Sequence, residues 1–386
     1  MIDIKYKKSY EAFIKHYKDV HPCPWHQISE EELNKIYDYL VGKMDVNNLP
    51  TFCYFMNYLI KRLSGLEDAH TQYLPASLLP MNYRMIDGEI LINYPEELKG
   101  SILLSINDVD INEIIKELDE ILIYGTEGRR RSEIENSLFN RNMLLGLPSL
   151  RECKKLVFKI RCLNGEILEK SFERRKDYGN EMFDTRKYLF GNPGEYEFIN
   201  DTLVYKHSSV QSQYEEAIKN SIGKLRKEDL FDIKRIIVDL RGNMGGNSKL
   251  NDYLMDFLKE NTDKELIVLT DYRVFSSGRF ALSDLLKLGA ITIGEEIGTP
   301  FNCFGESNSI LINGHSFTSS SAYFWPDKIE IRDKENFEKY VTNEMRIPDI
   351  FKPDVYVSTT KDDYIDGIDT VLEYALSYNK NNLLRK

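Results

Sequence analysis

"YRVFSSGRFALSDLLKLGAITIGEE", residues 272–296, places two adjacent serines, Ser276 and Ser277, and then Gly278 between an apolar strand and a helix-like run. Packing needs neither hydroxyl at that corner. Serine is a leading helix N-cap residue, which accounts for one of the pair. A serine at a helix N-terminus also sits where the macrodipole favours negative charge, so a developing alkoxide or oxyanion is stabilised there. The corner therefore reads either as a cap or as a nucleophile.

Around this corner the chain alternates. From about residue 176, "TLVYKHSSV", "IKRIIVDL", "ELIVLT" and "AITIGE" read as strands, and "YEEAIKNSIGKL", "SKLNDYLMDFL" and "GRFALSDLLKL" as helices. Nearly all-apolar strands alternating with amphipathic helices imply an α/β fold with a parallel or mixed sheet covered by helices. In such folds chemistry gathers at loops leaving the carboxyl ends of strands. One such loop is the serine corner. Another is "VDLRGNMGGNS", residues 238–248, where Gly242, Gly245 and Gly246 permit positive φ and close approach of peptide N–H groups. The glycine cluster is compatible with an oxyanion hole, a phosphate nest or a plain tight turn. It lacks the Lys-Ser/Thr pair of a P-loop.

The front of the chain has a different character. "ISEEELNKIYDYL" carries a capping box from Ser29 to Glu32, and "TFCYFMNYLIKRLSG" sets Phe52, Phe55, Met56, Leu59 and Leu63 on one helical face before Gly65 stops it. Residues 1–75 thus read as a helical region. Residues 76–175 mix strands with one or two helices, including a hairpin around Asn164-Gly165, and form a small α+β module.

Composition narrows the function. The chain has 386 residues, 42% hydrophobic and 29% charged, with a formal net charge of −11. That acidity leaves no basic excess for a nucleic-acid partner, and Arg129–Arg131 is too short a run to supply one. No segment approaches the roughly 18 uncharged apolar residues of a membrane span, and the N-terminus lacks a secretory core. Five scattered cysteines argue against a disulfide framework and for reduced thiols in a cytoplasm.

A serine nucleophile needs a base. Of six histidines, His21 and His26 flank Cys23 in "HPCPWH", where prolines break the i, i+4 geometry a zinc site would use, so no metal is expected. His207 reads as a packed strand residue. His70 lies in the loop "LEDAHTQYL" between Asp68 and Thr71, groups able to fix an imidazole tautomer.

Together, "LSGLEDAHTQYL", "IIVDLRGNMGGNS", the serine corner and "KPDVYVSTTKDDYIDGIDTVLEYAL" resemble, in this order, the tail-specific or carboxy-terminal processing serine peptidases, whose broader group includes the tricorn core. The resemblance implies a crotonase-like ββα spiral core over 176–386, a PDZ-like module over 76–175 and a helical region over 1–75 carrying the base. It places Ser276 at the nucleophile, and Gly245, Gly246 and Ser277 at the oxyanion hole. It implies peptide or unfolded-protein substrates, with no cofactor. A homo-oligomer is compatible, since extra helices around such cores often mediate association.

Two departures accompany it. The best-known branch activates its serine with a downstream lysine, but Pro300 and Phe301 occupy that neighbourhood and Lys287 is out of position. The tricorn-like branch uses a histidine from the N-terminal region, which His70 matches, although Ala69 stands where that branch has serine. Asp68, Glu295 and Glu306 are candidates for a third relay member. Arg279 replaces the usual glutamate and could bind a substrate carboxylate bidentately. The rival readings are a non-catalytic binder of peptides or hydrophobic ligands on the same fold, and an acyl-CoA enzyme of the crotonase type.

Overall fold

The computed structural model describes residues 4–74, 77–172, 191–325 and 329–379. The chain forms two compact units: Met1–Asn180 with Pro300–Asp349, and Glu181–Thr299 with Ile350–Lys386. The expected boundary near residue 175 lies outside the described residues. The stretch 176–386, expected as one core, is interrupted, because Pro300–Asp349 packs with the front of the chain.

The second unit is built on a six-stranded sheet. Its order is Val355–Tyr356, Ile291–Gly294, Glu265–Thr270, Arg235–Asp239, Thr202–Lys206 and Tyr196–Ile199. The first five strands run parallel, and the last closes an antiparallel hairpin. Ile236, Ile237 and Val238 are buried together with Ile267, Val268 and Leu269, as uninterrupted apolar runs predict for strands covered on both faces. Strands 235–239 and 265–270 are parallel neighbours in register, with Val238 opposite Val268. Both loops read as chemical therefore leave the same sheet edge side by side.

Arg241 fastens this edge to the back of the chain. Its guanidinium takes both oxygens of Asp239, at 2.8 and 2.7 Å, and both of Asp369, at 2.6 and 2.7 Å. Asp369 in turn caps the helix Thr370–Ser377 through the Leu372 amide.

The first unit holds the helices Ile4–Val20, Glu30–Lys43 and Leu49–Ser64, the last two at the stretches whose capping box and apolar face predict them. Ser29 and Glu32 form the predicted capping box, and Gly65 ends the third helix with φ +57°. Phe52, Phe55, Met56, Leu59 and Leu63 are all buried. The module that follows is an antiparallel sheet ordered Asn82–Ile86, Glu89–Tyr94, Ile102–Ile106, Val157–Arg161, Ile167–Ser171, with helices 111–119 and 127–138 and its own apolar core. The last two strands are the Asn164-Gly165 hairpin.

One element lies outside the sequence-based expectations. Residues Cys303–Ile312 and His315–Trp325 form a long hairpin, on which Gln72–Leu74 adds a further antiparallel strand. Its turn is Asn313-Gly314, with φ +51° and +82°, the signature of a two-residue type I′ hairpin.

Arg241→Met should unfold at markedly lower denaturant, by about 3 kcal/mol, because Asp239 would remain as a buried uncompensated charge. An unchanged urea midpoint would show that the clamp does not hold this edge.

Candidate active site

Parallel pairing brings the glycine turn and the serine corner into direct contact. Strand 235–239 ends in Leu240–Asn243, and the Gly242 amide donates to Asp271 Oδ1 at 2.9 Å, across from the neighbouring strand end. The Phe275 amide donates to the Asn243 carbonyl at 2.9 Å. Gly245, with φ +93°, packs so tightly on the corner that a Cβ there would lie 2.6 Å from the Ser277 nitrogen and 2.7 Å from Ser276 Cβ. Only glycine fits.

The two serines have separate roles. Ser277 Oγ donates to the Gly246 carbonyl at 2.7 Å and ties the helix Ser277–Lys287 to the turn. Ser276 precedes that helix but its side chain makes no capping bond. Its backbone has φ +52° and ψ −122°, a strained conformation for a non-glycine residue. So the capping residue of the pair is neither serine in the usual sense: one hydroxyl bridges loops, and the other is held up on a strained corner. Strain at a partly exposed hydroxyl is the pattern of a functional residue.

Of the three expected oxyanion donors, the Gly245 amide is engaged, donating to Asn243 Oδ1 at 2.9 Å. The Gly246 and Ser277 amides have no acceptor among the described residues. Arg279, expected to meet a substrate carboxylate, is 2% exposed, its guanidinium carbon 4.3 Å from the Phe280 ring centroid. A substrate would have to displace that packing to reach it.

His70 belongs to the first unit. Its loop is organised by the fully buried Asp68. Asp68 Oδ1 accepts from the His70 amide at 3.2 Å, the Thr71 amide at 3.1 Å and Ser320 Oγ at 2.5 Å. Its other oxygen lies 3.3 Å from His21 Nε2, an approach that is electrostatic first, since its alignment falls short of a good hydrogen bond. Burial pushes the Asp68 carboxyl up, but His21, Ser320 and Thr71 outweigh it and hold the group well below the usual carboxylate range. Thr318 Oγ1 donates to the His70 carbonyl at 2.7 Å, and the ring rests against Gly305. The hairpin 303–325, unexpected from the sequence, is thus the seat of His70. The Asn313-Gly314 dipeptide is the signal that could have found it.

The other named residues separate clearly. Asp68 is occupied in holding its loop. Glu306 is exposed and paired with Arg332, while Glu295 is buried in the second unit, its amide on the Thr270 carbonyl. His21 and His26 stack at 5.2 Å; His21 Nδ1 accepts from the Cys23 amide, and His26 Nδ1 faces the Cys23 carbonyl. His207, expected within the strand, lies just past its end and is fully buried as expected, with Nε2 on Asn251 Oδ1 at 2.9 Å and Nδ1 without a hydrogen-bond partner among the described residues. Among the described residues no helix is long and apolar enough to cross a membrane.

Burial, the leading cause each time, lowers His26, His207 and His315 to about 4. Unfolded histidines take up protons near 6.5, the folded ones only near 4, so acid between those values favours unfolding. Stability should be flat above pH 6.5 and fall steadily towards pH 4.5; His207→Gln should make that fall shallower, read by thermal melting across pH. Ser276→Gly should raise stability by about 1 kcal/mol through relief of strain, whereas Gly245→Ala should cost about 2 kcal/mol or more. A destabilised Ser276→Gly protein would mean the corner is not strained.

No family model matches the sequence, and no curated protein matches it. Solved structures do. The crystal structure of mature CPAF aligns at 12% identity with a TM-score of 0.63, over 97% of this chain and 98% of that one. Mature CPAF complexed with lactacystin aligns at 12% identity and 0.64, over 97% and 99%. The photosystem II D1 C-terminal processing protease follows at 11% and 0.46, over 92% and 94%. Identity this low speaks for the fold alone, and over 97% of its length this chain has the fold of CPAF.

Proposed function

We propose that this chain is a serine peptidase. The observation that carries the reading is Ser276: a strained hydroxyl, not used as a cap, at the N-terminus of a helix and pressed against the glycine turn. Ser276 Oγ attacks a peptide carbonyl while His70 takes its proton. Backbone N–H groups of the turn and corner receive the oxyanion, helped by the helix dipole. His70 then protonates the leaving amine, and water hydrolyses the acyl-enzyme by the same route in reverse.

In this reading the region 76–175 is a PDZ-like module presenting substrate tails, and 176–386 carries a crotonase-like core built on the parallel sheet of the second unit. Asp68 supports His70 from behind through its loop amides. Five free cysteines accord with a reducing, cytoplasmic setting.

A fluorophosphonate probe should label the native protein on Ser276 and leave Ser276→Ala unlabelled. Peptide hydrolysis should fall at least about a thousandfold in that variant and steeply in His70→Ala. A peptidyl chloromethylketone should alkylate His70 in the native protein but not in Ser276→Ala, since the reagent reaches the imidazole from a serine adduct. Lactacystin, bound by CPAF, should compete with both labels. A native protein inert to every probe would favour the non-catalytic binder.

A further inference from the structure

We propose that Asn243 is a positioning residue that selects which amides form the oxyanion hole, reserving Gly246 and Ser277 for the substrate and withdrawing Gly245. The proposal rests on the peptidase reading above. The geometry behind it lies wholly within the second unit.

Asn243 is fully buried, and its amide closes the turn on the Leu240 carbonyl at 3.0 Å; three further ties matter here. Its Oδ1 accepts from the Gly245 amide at 2.9 Å. Its Nδ2 donates to the His207 carbonyl at 2.6 Å, at the end of the adjoining strand. Its own carbonyl accepts from Phe275, the residue before the nucleophile. The side chain thus needs one acceptor and one donor on the same carbon, which among residues of this size only an amide offers. Aspartate would set a carboxylate oxygen against the His207 carbonyl, and leucine would leave two buried polar groups unmet.

The same residues brace the corner from below. Asn251 Nδ2 donates to the Ser277 carbonyl at 3.2 Å, so Asn251 Oδ1 is the atom that faces His207. His207 therefore carries its proton on Nε2. Ser277 Oγ adds the bond to the Gly246 carbonyl. The Gly278 and Arg279 amides donate to the Phe275 and Ser276 carbonyls at 3.0 Å each, so the peptide planes on either side of the nucleophile are fixed before a substrate arrives. Donors fixed in advance need no reorganisation when charge develops, which is where oxyanion stabilisation gains its strength. Were Gly245 released, its amide would compete with those two for the oxyanion or let the turn swing away from it.

A loss confined to the charged intermediate should appear in kcat and not in KM. The test compares the native protein with Asn243→Ala, and with Asn243→Ser should the alanine variant fail to fold. Active sites are counted by fluorophosphonate titration, so a partly unfolded sample does not imitate a slow one. Per titrated site, kcat for a peptide substrate should fall about 30-fold with KM within about threefold. Affinity for a peptide boronate, which presents a tetrahedral anion, should fall in parallel. Hydrogen exchange at residue resolution reads the tie without any activity: the Gly245 amide should be protected in the native protein and fast in the variant. Unchanged Gly245 exchange overturns the tie, and an unchanged kcat with faster exchange overturns the positioning role. A native protein that shows Gly245 protection yet neither cleaves nor labels would overturn the peptidase reading and the oxyanion assignment with it, while leaving the tie in place.

Discussion

The approach of the Gly245 backbone to the Ser276–Ser277 corner is the constraint on which the second unit turns. Two peptide segments meet there with no side chain between them, and only parallel neighbouring strands in register can deliver both loops to that spot. Everything nearby serves this contact. Asp271 holds the start of the turn, Asn243 its middle, Ser277 its end, and Arg241 holds the strand from which it leaves. Strain at Ser276 persists because so many bonds surround it.

The first unit solves a different problem, seating an imidazole in a loop. A buried carboxylate does this by gathering loop amides, much as an N-cap does, and the price of burying its charge is met by His21 and Ser320. The module and the hairpin 303–325 share the unit with that loop but build separate cores. Polar choice is concentrated where chemistry is proposed, while apolar packing elsewhere is conventional.

Much of this was legible in residue order. Period-3.6 spacing marked the Leu49–Ser64 helix, and continuous apolar runs marked the buried strands. Glycine clustering after one strand and paired serines after the next marked both loops. The hairpin 303–325 escaped because "GESNSI" and "FTSSSAYF" are polar on both faces in part, so alternation is weak, and the Asn313-Gly314 turn was its sole strong sign. The commitment of the Gly245 amide and the burial of Arg279 were not legible either. Both depend on neighbours brought in by the fold and not by spacing along the chain.

The first unit is assembled from two separated segments, and that has a consequence for synthesis on the ribosome. Ser320 and Thr318, which fix the loop around His70, are translated after the serine corner at 276–277. A growing chain therefore passes through a stage in which the 276–277 corner has been made while the loop around His70 still lacks the bonds from Thr318 and Ser320. The loop made first is thus among the last to settle, since its hydrogen bonds wait for the hairpin.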